Sequence, residues 1–216
     1  MCCASREPAQ SFKQYIDTGN SSKTYNPLTL EEHWNSEHMR SVRKRMLQGK
    51  KLPECEVCND KLLNTDVYKS YWNHLFAHLI DKAFTDTKED GSTTMPVISY
   101  DYRFNNLCNF KCRMCGSMLS SSWESEQRKH KDWSISSSPW MEPKLREQIK
   151  SFQDTQVVKE FMHGVENKTI REIYWCGGEP LMWDIHWTAM QRIIDLGFAK
   201  EVYVRYNTNL SRTTYK

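Results

Sequence analysis

Three cysteines lie close together near the middle of the chain: Cys108, Cys112 and Cys115, in the stretch NNLCNFKCRMC. Cysteine thiolates hold iron–sulfur clusters, and a closed 4Fe–4S site uses four of them. Three thiolates can therefore hold three irons and leave the fourth open, much as catalytic zinc sites keep an open position. Zinc sites usually show two separated pairs of ligands, and a ferredoxin run adds a fourth cysteine followed by proline. The spacing favours an open iron–sulfur site over a zinc-binding knuckle or three buried thiols.

A second motif, Gly177-Gly178-Glu179-Pro180, follows an apolar stretch further along the chain. Two glycines let the backbone approach a ligand closely, and proline fixes the turn that follows. The same residues would also suit a plain strand-to-helix turn. Cys176, just before them, is expected to be a small buried side chain.

The elements that must position these motifs alternate between strands and helices in the second half of the chain. Sequence patterns predict strands at 97–104, 170–176 and 202–206, and helices at 117–131, 143–165 and 185–196. This alternation implies parallel strands joined by right-handed crossovers. Ligands of such sheets gather at the carboxyl ends of the strands, where the two motifs and a polar segment, Asn207-Thr208-Asn209, all fall. Polar residues at a strand end are also common in ordinary turns.

The first part of the chain reads as helical. Thr29 and Glu32 form a capping-box pattern, and the apolar stripe that follows predicts a helix ending at Gly49. An aromatic helix is predicted at 71–79. The polar segment 86–92 reads as a linker.

Composition narrows the class of protein. The chain has 216 residues and a net charge of +3, which gives no reason to expect nucleic acid or a membrane surface as partner. No apolar run approaches the roughly 20 residues that span a bilayer, and no signal-peptide core follows Met1. We therefore expect a cytoplasmic protein, whose clustered cysteines bind metal or do chemistry rather than form disulfides.

The cysteine loop and the double-glycine motif together resemble the signature of the radical S-adenosylmethionine (radical SAM) superfamily. The resemblance implies a 4Fe–4S cluster on Cys108, Cys112 and Cys115, with S-adenosylmethionine on the open iron. In that superfamily the reduced cluster cleaves S-adenosylmethionine, and the resulting 5′-deoxyadenosyl radical abstracts hydrogen from a substrate. Met114 stands where the superfamily usually has an aromatic residue and can pack on the same cofactor. The other implied cofactor contacts are Gly177, Gly178, Glu179, Pro180, Asn207 and Asn209.

The segment LTLEEHWNSEHMRSVRKRMLQGKKLPECEVC resembles the twitch or SPASM domain of radical SAM enzymes. That resemblance implies an auxiliary iron–sulfur cluster held by Cys55 and Cys58, with Cys2 or Cys3 as a third ligand. A small zinc site using the same four thiols is the alternative.

The two resemblances imply an α/β fold: a partial (β/α) radical SAM barrel of about three βα units over 91–216, preceded by a small, mainly helical, cysteine-containing domain over 1–90. The superfamily core usually has more such units, so we expect the chain to be a fragment. The expected function is a radical SAM enzyme, an oxidoreductase or transferase, that takes its electron from an external donor. Its substrate is unknown, and the auxiliary domain points towards peptides or proteins. The competing expectation is a non-catalytic iron–sulfur or zinc binding module.

Overall fold

The computed structural model describes residues 15–17, 23–25, 27–52, 67–103, 105–130 and 142–214. The chain divides into two compact units. The first holds Leu28–Pro96, and the second holds Tyr15–Pro27 and Val97–Lys216, which includes all three motifs. None of the helices in the described ranges is both long and apolar enough to cross a membrane.

The first unit is helical, as predicted. Its helices are α1 (Leu30–Trp34), α2 (Glu37–Leu47), α3 (Val67–Leu75) and α4 (Ile80–Asp86), with a 3₁₀ turn at Ala77–Leu79. The predicted capping box is confirmed, because Glu32 N donates to Thr29 Oγ1 at 3.1 Å and Thr29 N donates to the Glu32 carboxylate at 2.8 Å. These bonds satisfy two backbone donors that a bare helix start would leave exposed.

The single helix predicted to end at Gly49 is in fact two. Ser36 restarts the helix, since its hydroxyl accepts from Met39 N at 3.3 Å. Asn35, at the break, donates to Thr93 O at 3.1 Å and accepts from Thr93 N at 3.0 Å. The predicted linker at 86–92 is closed into a turn by backbone and side-chain hydrogen bonds, so it is an ordered part of this unit.

Two short strands, β1 (Tyr15–Asp17) and β2 (Lys23–Tyr25), pair antiparallel with Ile16 opposite Thr24. The prediction that the chain before the linker is helical is therefore wrong for these segments. Three-residue strands are too short to show the alternation, over four to eight residues, by which strands are recognised.

The second unit is built on a parallel sheet of three strands, β3 (Ser99–Tyr102), β4 (Glu172–Trp175) and β5 (Tyr203–Tyr206), in the order β3-β4-β5. In the central strand, Ile173 lies opposite Tyr100 on one side and Val204 on the other. All three predicted strands are confirmed, each somewhat shorter than its sequence pattern. The unit is thus mixed α/β, and its sheet is open in the part of the chain that is described.

Two of the four helices described in this unit lie against one face of its sheet. The helices are α5 (Ser121–Lys129), α6 (Pro143–Phe152), α7 (Val158–Glu166) and α8 (Asp184–Asp195), and a π-helical turn at Gln153–Val157 separates α6 from α7. Phe161 of α7 and His186 of α8 both meet the ring of Trp175, at centroid distances of 5.6 and 5.0 Å. The buried apolar core therefore lies between the sheet and these two helices.

The opposite face of the sheet is charged. Because side chains alternate along a strand, Glu172 and Tyr174 point away from the helices that hold Trp175. The Glu172 carboxylate, 1% exposed, lies 2.7 Å from a guanidinium nitrogen of Arg205 and also accepts from Ser99 Oγ. Arg205 stacks over the Tyr174 ring at 4.3 Å. The ion pair and the stacked ring thus join β5 to β4 on this face, and the Ser99 hydroxyl joins β3 to β4.

His186 makes the stability of the second unit depend on pH. Its Nε2 lies 3.0 Å from Tyr206 OH, while its buried Nδ1 has no hydrogen-bond partner among the described residues. Burial lowers the pKa of His186 to about 4, although the charge of Glu179 opposes the shift. The unfolded chain therefore binds a proton at His186 before the folded chain does. Stability is complete above about pH 6.5 and falls towards pH 4, by up to about 1.4 kcal/mol per pH unit.

Urea unfolding at about pH 7 and about pH 4.5 measures this loss. The variant His186→Gln removes the titrating group and is expected to flatten the pH dependence across that window. If the variant keeps the full slope, another group is responsible.

Candidate metal and cofactor site

The three motifs meet at the carboxyl end of the parallel sheet. The segment after β3 carries Leu107 and Cys108, the turn after β4 carries Glu179, and the segment after β5 carries Asn209. Glu179 N donates to Leu107 O at 2.7 Å, and Asn209 N donates to Glu179 Oε2 at 2.6 Å. Residues from all three strand ends are therefore in direct contact.

Cys108 is held in place by hydrogen bonds to its backbone and to its sulfur. Its backbone N–H donates to Ser121 Oγ at 3.1 Å, and its carbonyl accepts from Ser121 Oγ at 3.0 Å and Ser122 Oγ at 2.9 Å. Its sulfur accepts from Phe110 N at 3.4 Å and from Asn209 Nδ2 at 3.7 Å. Every polar group of this residue is thus engaged by the protein.

The other two thiols lie in a tight turn nearer the surface. Cys115 N donates to Cys112 O at 3.0 Å, and Trp123 Nε1 donates to the same carbonyl at 2.9 Å. Burial, followed by the neighbouring charges of Cys112 and Cys108, raises the pKa of Cys115. The backbone bond between them therefore places Cys112 and Cys115 in one turn.

The chemistry of this donor set fits an iron–sulfur cluster, since its members are the soft thiolates that such clusters use. Cys112 is exposed, so one side of the loop is open to an incoming group. Within the described ranges, no three His, Cys, Asp or Glu side chains converge closely enough to hold a metal ion. Binding a cluster would therefore require the exposed part of the loop to draw its thiols together.

The double glycine is required by contacts within the protein. Gly177 and Gly178 have φ angles of +77° and +57°, a region that favours glycine. A Cβ on Gly178 would lie 2.7 Å from Leu107 O, and one on Gly177 would lie 2.8 Å from the side chain of Arg103. The turn is thus pressed against the backbone that leads into the cysteine loop.

Glu179 faces inward and is 1% exposed. Its Oε1 accepts from Leu181 N at 3.1 Å and from Thr208 Oγ1 at 2.5 Å, and its Oε2 accepts from Asn209 N. Pro180 begins a buried 3₁₀ turn, Pro180–Met182. The Glu179 carboxylate therefore already accepts three hydrogen bonds from the protein, two at Oε1 and one at Oε2, which leaves Oε2 able to accept one more.

The remaining predicted contacts differ in their surroundings. Met114 is 92% exposed and stands open to any group bound over the loop. Asn207 is exposed, and its N–H continues the strand pairing by donating to Trp175 O at 2.9 Å. Asn209 lies against the cysteine loop, because its Nδ2 also reaches Asn109 Oδ1 at 3.2 Å.

The sequence did not reveal which buried residues hold the cysteine loop in place through hydrogen bonds. Asn106 is buried and donates both to Ser117 O and to the Glu124 carboxylate, each at 2.7 Å. Ser120 caps α5, accepting from Trp123 N, and also donates to the loop at Phe110 O. In the sequence, the run of serines at 120–122 indicates no more than a helix start, because serine is a common capping residue.

Cys176 is buried, as predicted. Its S–H donates to Asp101 Oδ1 at 2.9 Å. Burial, with the Asp101 carboxylate adding to it, raises the pKa of Cys176 to about 12. The thiol therefore stays protonated and is a poor nucleophile.

The predicted auxiliary-cluster ligands, Cys2, Cys3, Cys55 and Cys58, lie outside the described residues. That cluster stays a prediction. Comparisons with family models, with curated proteins and with solved structures found no match to this chain.

Proposed function

We propose that the chain is a radical SAM enzyme, with Cys108, Cys112 and Cys115 as ligands of a 4Fe–4S cluster and S-adenosylmethionine as the second cofactor. The observation that carries the proposal is the set of contacts joining Leu107, Glu179 and Asn209 at one end of a parallel sheet. When bound, the cluster supplies the electron that cleaves a carbon–sulfur bond of S-adenosylmethionine, with hydrogen taken from a substrate. On this proposal, β3, β4 and β5 belong to a partial radical SAM barrel.

The chain's own residues would hold and orient these groups. Cys108 offers a sulfur whose position is already fixed, whereas Cys112 lies on the exposed side of the loop. The substrate that the proposal carries over from the auxiliary-domain resemblance is a peptide or protein, and the electron comes from an external donor. The auxiliary cluster on Cys55 and Cys58 belongs to the same proposal.

A second candidate is a non-catalytic zinc or iron–sulfur binding module. The observation that favours it is the tight turn between Cys112 and Cys115, closed by the bond from Cys115 N to Cys112 O. Such a turn brings two thiols together in the way a zinc knuckle needs.

Anaerobic reconstitution with iron and sulfide separates the two candidates. The enzyme is expected to take up iron with labile sulfide and, given S-adenosylmethionine and a strong reductant, to release 5′-deoxyadenosine. The variant Cys112→Ala removes one ligand and is expected to reduce that release to background. Chromatography with mass spectrometry measures the product.

Cys176→Ala is the matched control, because it removes a buried thiol outside the proposed ligand set. This variant should keep its cluster and its cleavage activity. Cleavage that persists in Cys112→Ala would show that the ligands are assigned wrongly. Zinc without labile sulfide in the anaerobically purified protein would favour the binding module.

A further inference from the structure

We propose that Glu179 is a positioning residue that acts through Asn209 on the sulfur of Cys108, and so sets the properties of that sulfur as a ligand. This inference rests on the proposed function for the identity of the bound group. The contacts that support it involve the chain alone.

Glu179 is the point at which the three strand ends are tied together. Its N–H donates to Leu107 O, one residue before Cys108, and its carboxylate accepts from the backbone of Leu181 and Asn209 and from the hydroxyl of Thr208. A buried carboxylate that accepts several backbone donors is a strong and rigid anchor. Its position therefore determines where the segment after β5 lies.

Asn209 connects the Glu179 anchor to the cysteine loop. With its backbone N–H held by Glu179, its side-chain amide points towards Cys108 Sγ at 3.7 Å and Asn109 Oδ1 at 3.2 Å. Ser211 Oγ donates to the same Asn109 oxygen at 3.0 Å, which holds the segment on the loop. The position of the Asn209 amide is thus fixed by Glu179 through its own backbone and by Asn109 on the cysteine loop.

The bond to sulfur gives Asn209 an effect on the ligand. An N–H aimed at a thiolate sulfur stabilises negative charge there, and hydrogen bonds to the sulfurs are one of the factors that set a cluster's reduction potential. Because the reduced cluster carries more negative charge, removing the donor should make reduction harder. Cys108 is the ligand on which this arrangement acts, because the Asn209 amide contacts its sulfur.

The variant Glu179→Gln tests the anchor without changing its size. Whichever way the amide is turned, its NH₂ group faces either Leu181 N–H or Asn209 N–H, since the two carboxylate oxygens accept from these two donors. One backbone donor then loses its acceptor. In one orientation Asn209 N–H loses its acceptor, and in the other Thr208, its neighbour in the chain, loses the oxygen that it shares with Leu181. The variant should therefore loosen the segment after β5 in either case, while leaving the cysteines in place.

The first measurement uses the metal-free protein and needs no cofactor. Urea unfolding is compared for Asn209→Ala, Cys108→Ala and the double variant. If the amide and the sulfur interact, Asn209→Ala should destabilise the Cys108→Ala chain less than it destabilises the unmodified chain, with the bond to Asn109 accounting for the loss that remains. Equal destabilisation in the two backgrounds would overturn the inference.

The second measurement is the midpoint potential of the reconstituted cluster, followed by electron paramagnetic resonance. Both Asn209→Ala and Glu179→Gln should shift it to a more negative value. Asn167→Ala is the matched control, because Asn167 also donates its side-chain amide, at 2.8 Å to His163 O, at the exposed end of α7. An unchanged potential in both test variants would overturn the inference, since a purely structural role of Glu179 would not move it.

The two proposals fail in different ways. If no cluster forms in the unmodified chain, the proposed function fails, and the metal-free measurement still decides whether Asn209 acts on the sulfur of Cys108. If the cluster forms and cleaves S-adenosylmethionine but its potential is the same in every variant, the function stands and the inference fails.

Discussion

Gly178→Ala is expected to destabilise the second unit by about 3 kcal/mol. The backbone φ of +57° costs an alanine roughly 1–2 kcal/mol. In addition, the new Cβ would lie 2.7 Å from Leu107 O, a backbone atom that cannot rotate away, and such overpacking costs about 1–3 kcal/mol. Urea unfolding measures the loss directly.

Gly197→Ala separates the two costs. Gly197 ends α8 with a φ of +74°, but a Cβ there would meet nothing within 4 Å. Its replacement should therefore cost only the backbone contribution, about 1–2 kcal/mol. If the two variants are equally stable, the turn after β4 is not packed tightly on the cysteine loop.

Glu172→Ala is expected to cost about 3 kcal/mol. It removes a carboxylate that is 1% exposed and leaves the Arg205 guanidinium, 31% exposed, without that partner. Breaking a buried ion pair typically costs about 3–5 kcal/mol, and the partial exposure of Arg205 lets water recover some of it. Ser99 Oγ also loses its acceptor. Thermal and urea unfolding measure the effect.

Two further variants show whether the ion pair or the shape of Glu172 matters. Glu172→Gln keeps an acceptor of the same size, so its cost should be smaller than that of alanine, about 1–2 kcal/mol. Arg205→Ala leaves the buried carboxylate without its cation and should cost at least as much as Glu172→Ala. A Gln variant as unstable as the Ala variant would contradict the assignment of an acceptor role to Glu172.

The strands of the second unit were predictable because their patterns are local. The segment 170–176 has apolar residues at Ile170, Ile173, Trp175 and Cys176 and is followed at once by two glycines, which indicates a buried strand that ends in a turn. From the alternation of strands and helices it also followed that the strand ends would share one edge. The contact of Glu179 N with Leu107 O is the direct consequence.

Local breaks were harder to predict, because they leave the apolar pattern almost unchanged. The π-helical turn at Gln153–Val157 adds one residue to a turn, and the stripe over 143–165 still reads as one helix. Ser36 and Asn35 interrupt the first helix through a cap and through bonds to Thr93, 58 residues away from Asn35. Patterns along the chain contain no information on such a distant partner.

The same limit applies to the site. The sequence indicated that Cys108, Glu179 and Asn209 belong together, but not how. The bond from Asn209 to Cys108 joins residues 101 positions apart. The same amide also bonds Asn109 Oδ1, a contact that the sequence did not indicate. Glu179 was predicted to contact a cofactor, and its inward-facing carboxylate became evident only from the fold.

The different chemistry of the two faces of the sheet restricts how β5 can pair with β4. If β5 slipped by one residue, its side chains would exchange faces, and Arg205 would point into the apolar layer beside Trp175 while Val204 faced Glu172. A slip by two residues would keep the faces but separate Arg205 from Glu172. The charged face therefore favours a single register of β5 on β4, because each misaligned pairing loses the buried ion pair between Glu172 and Arg205.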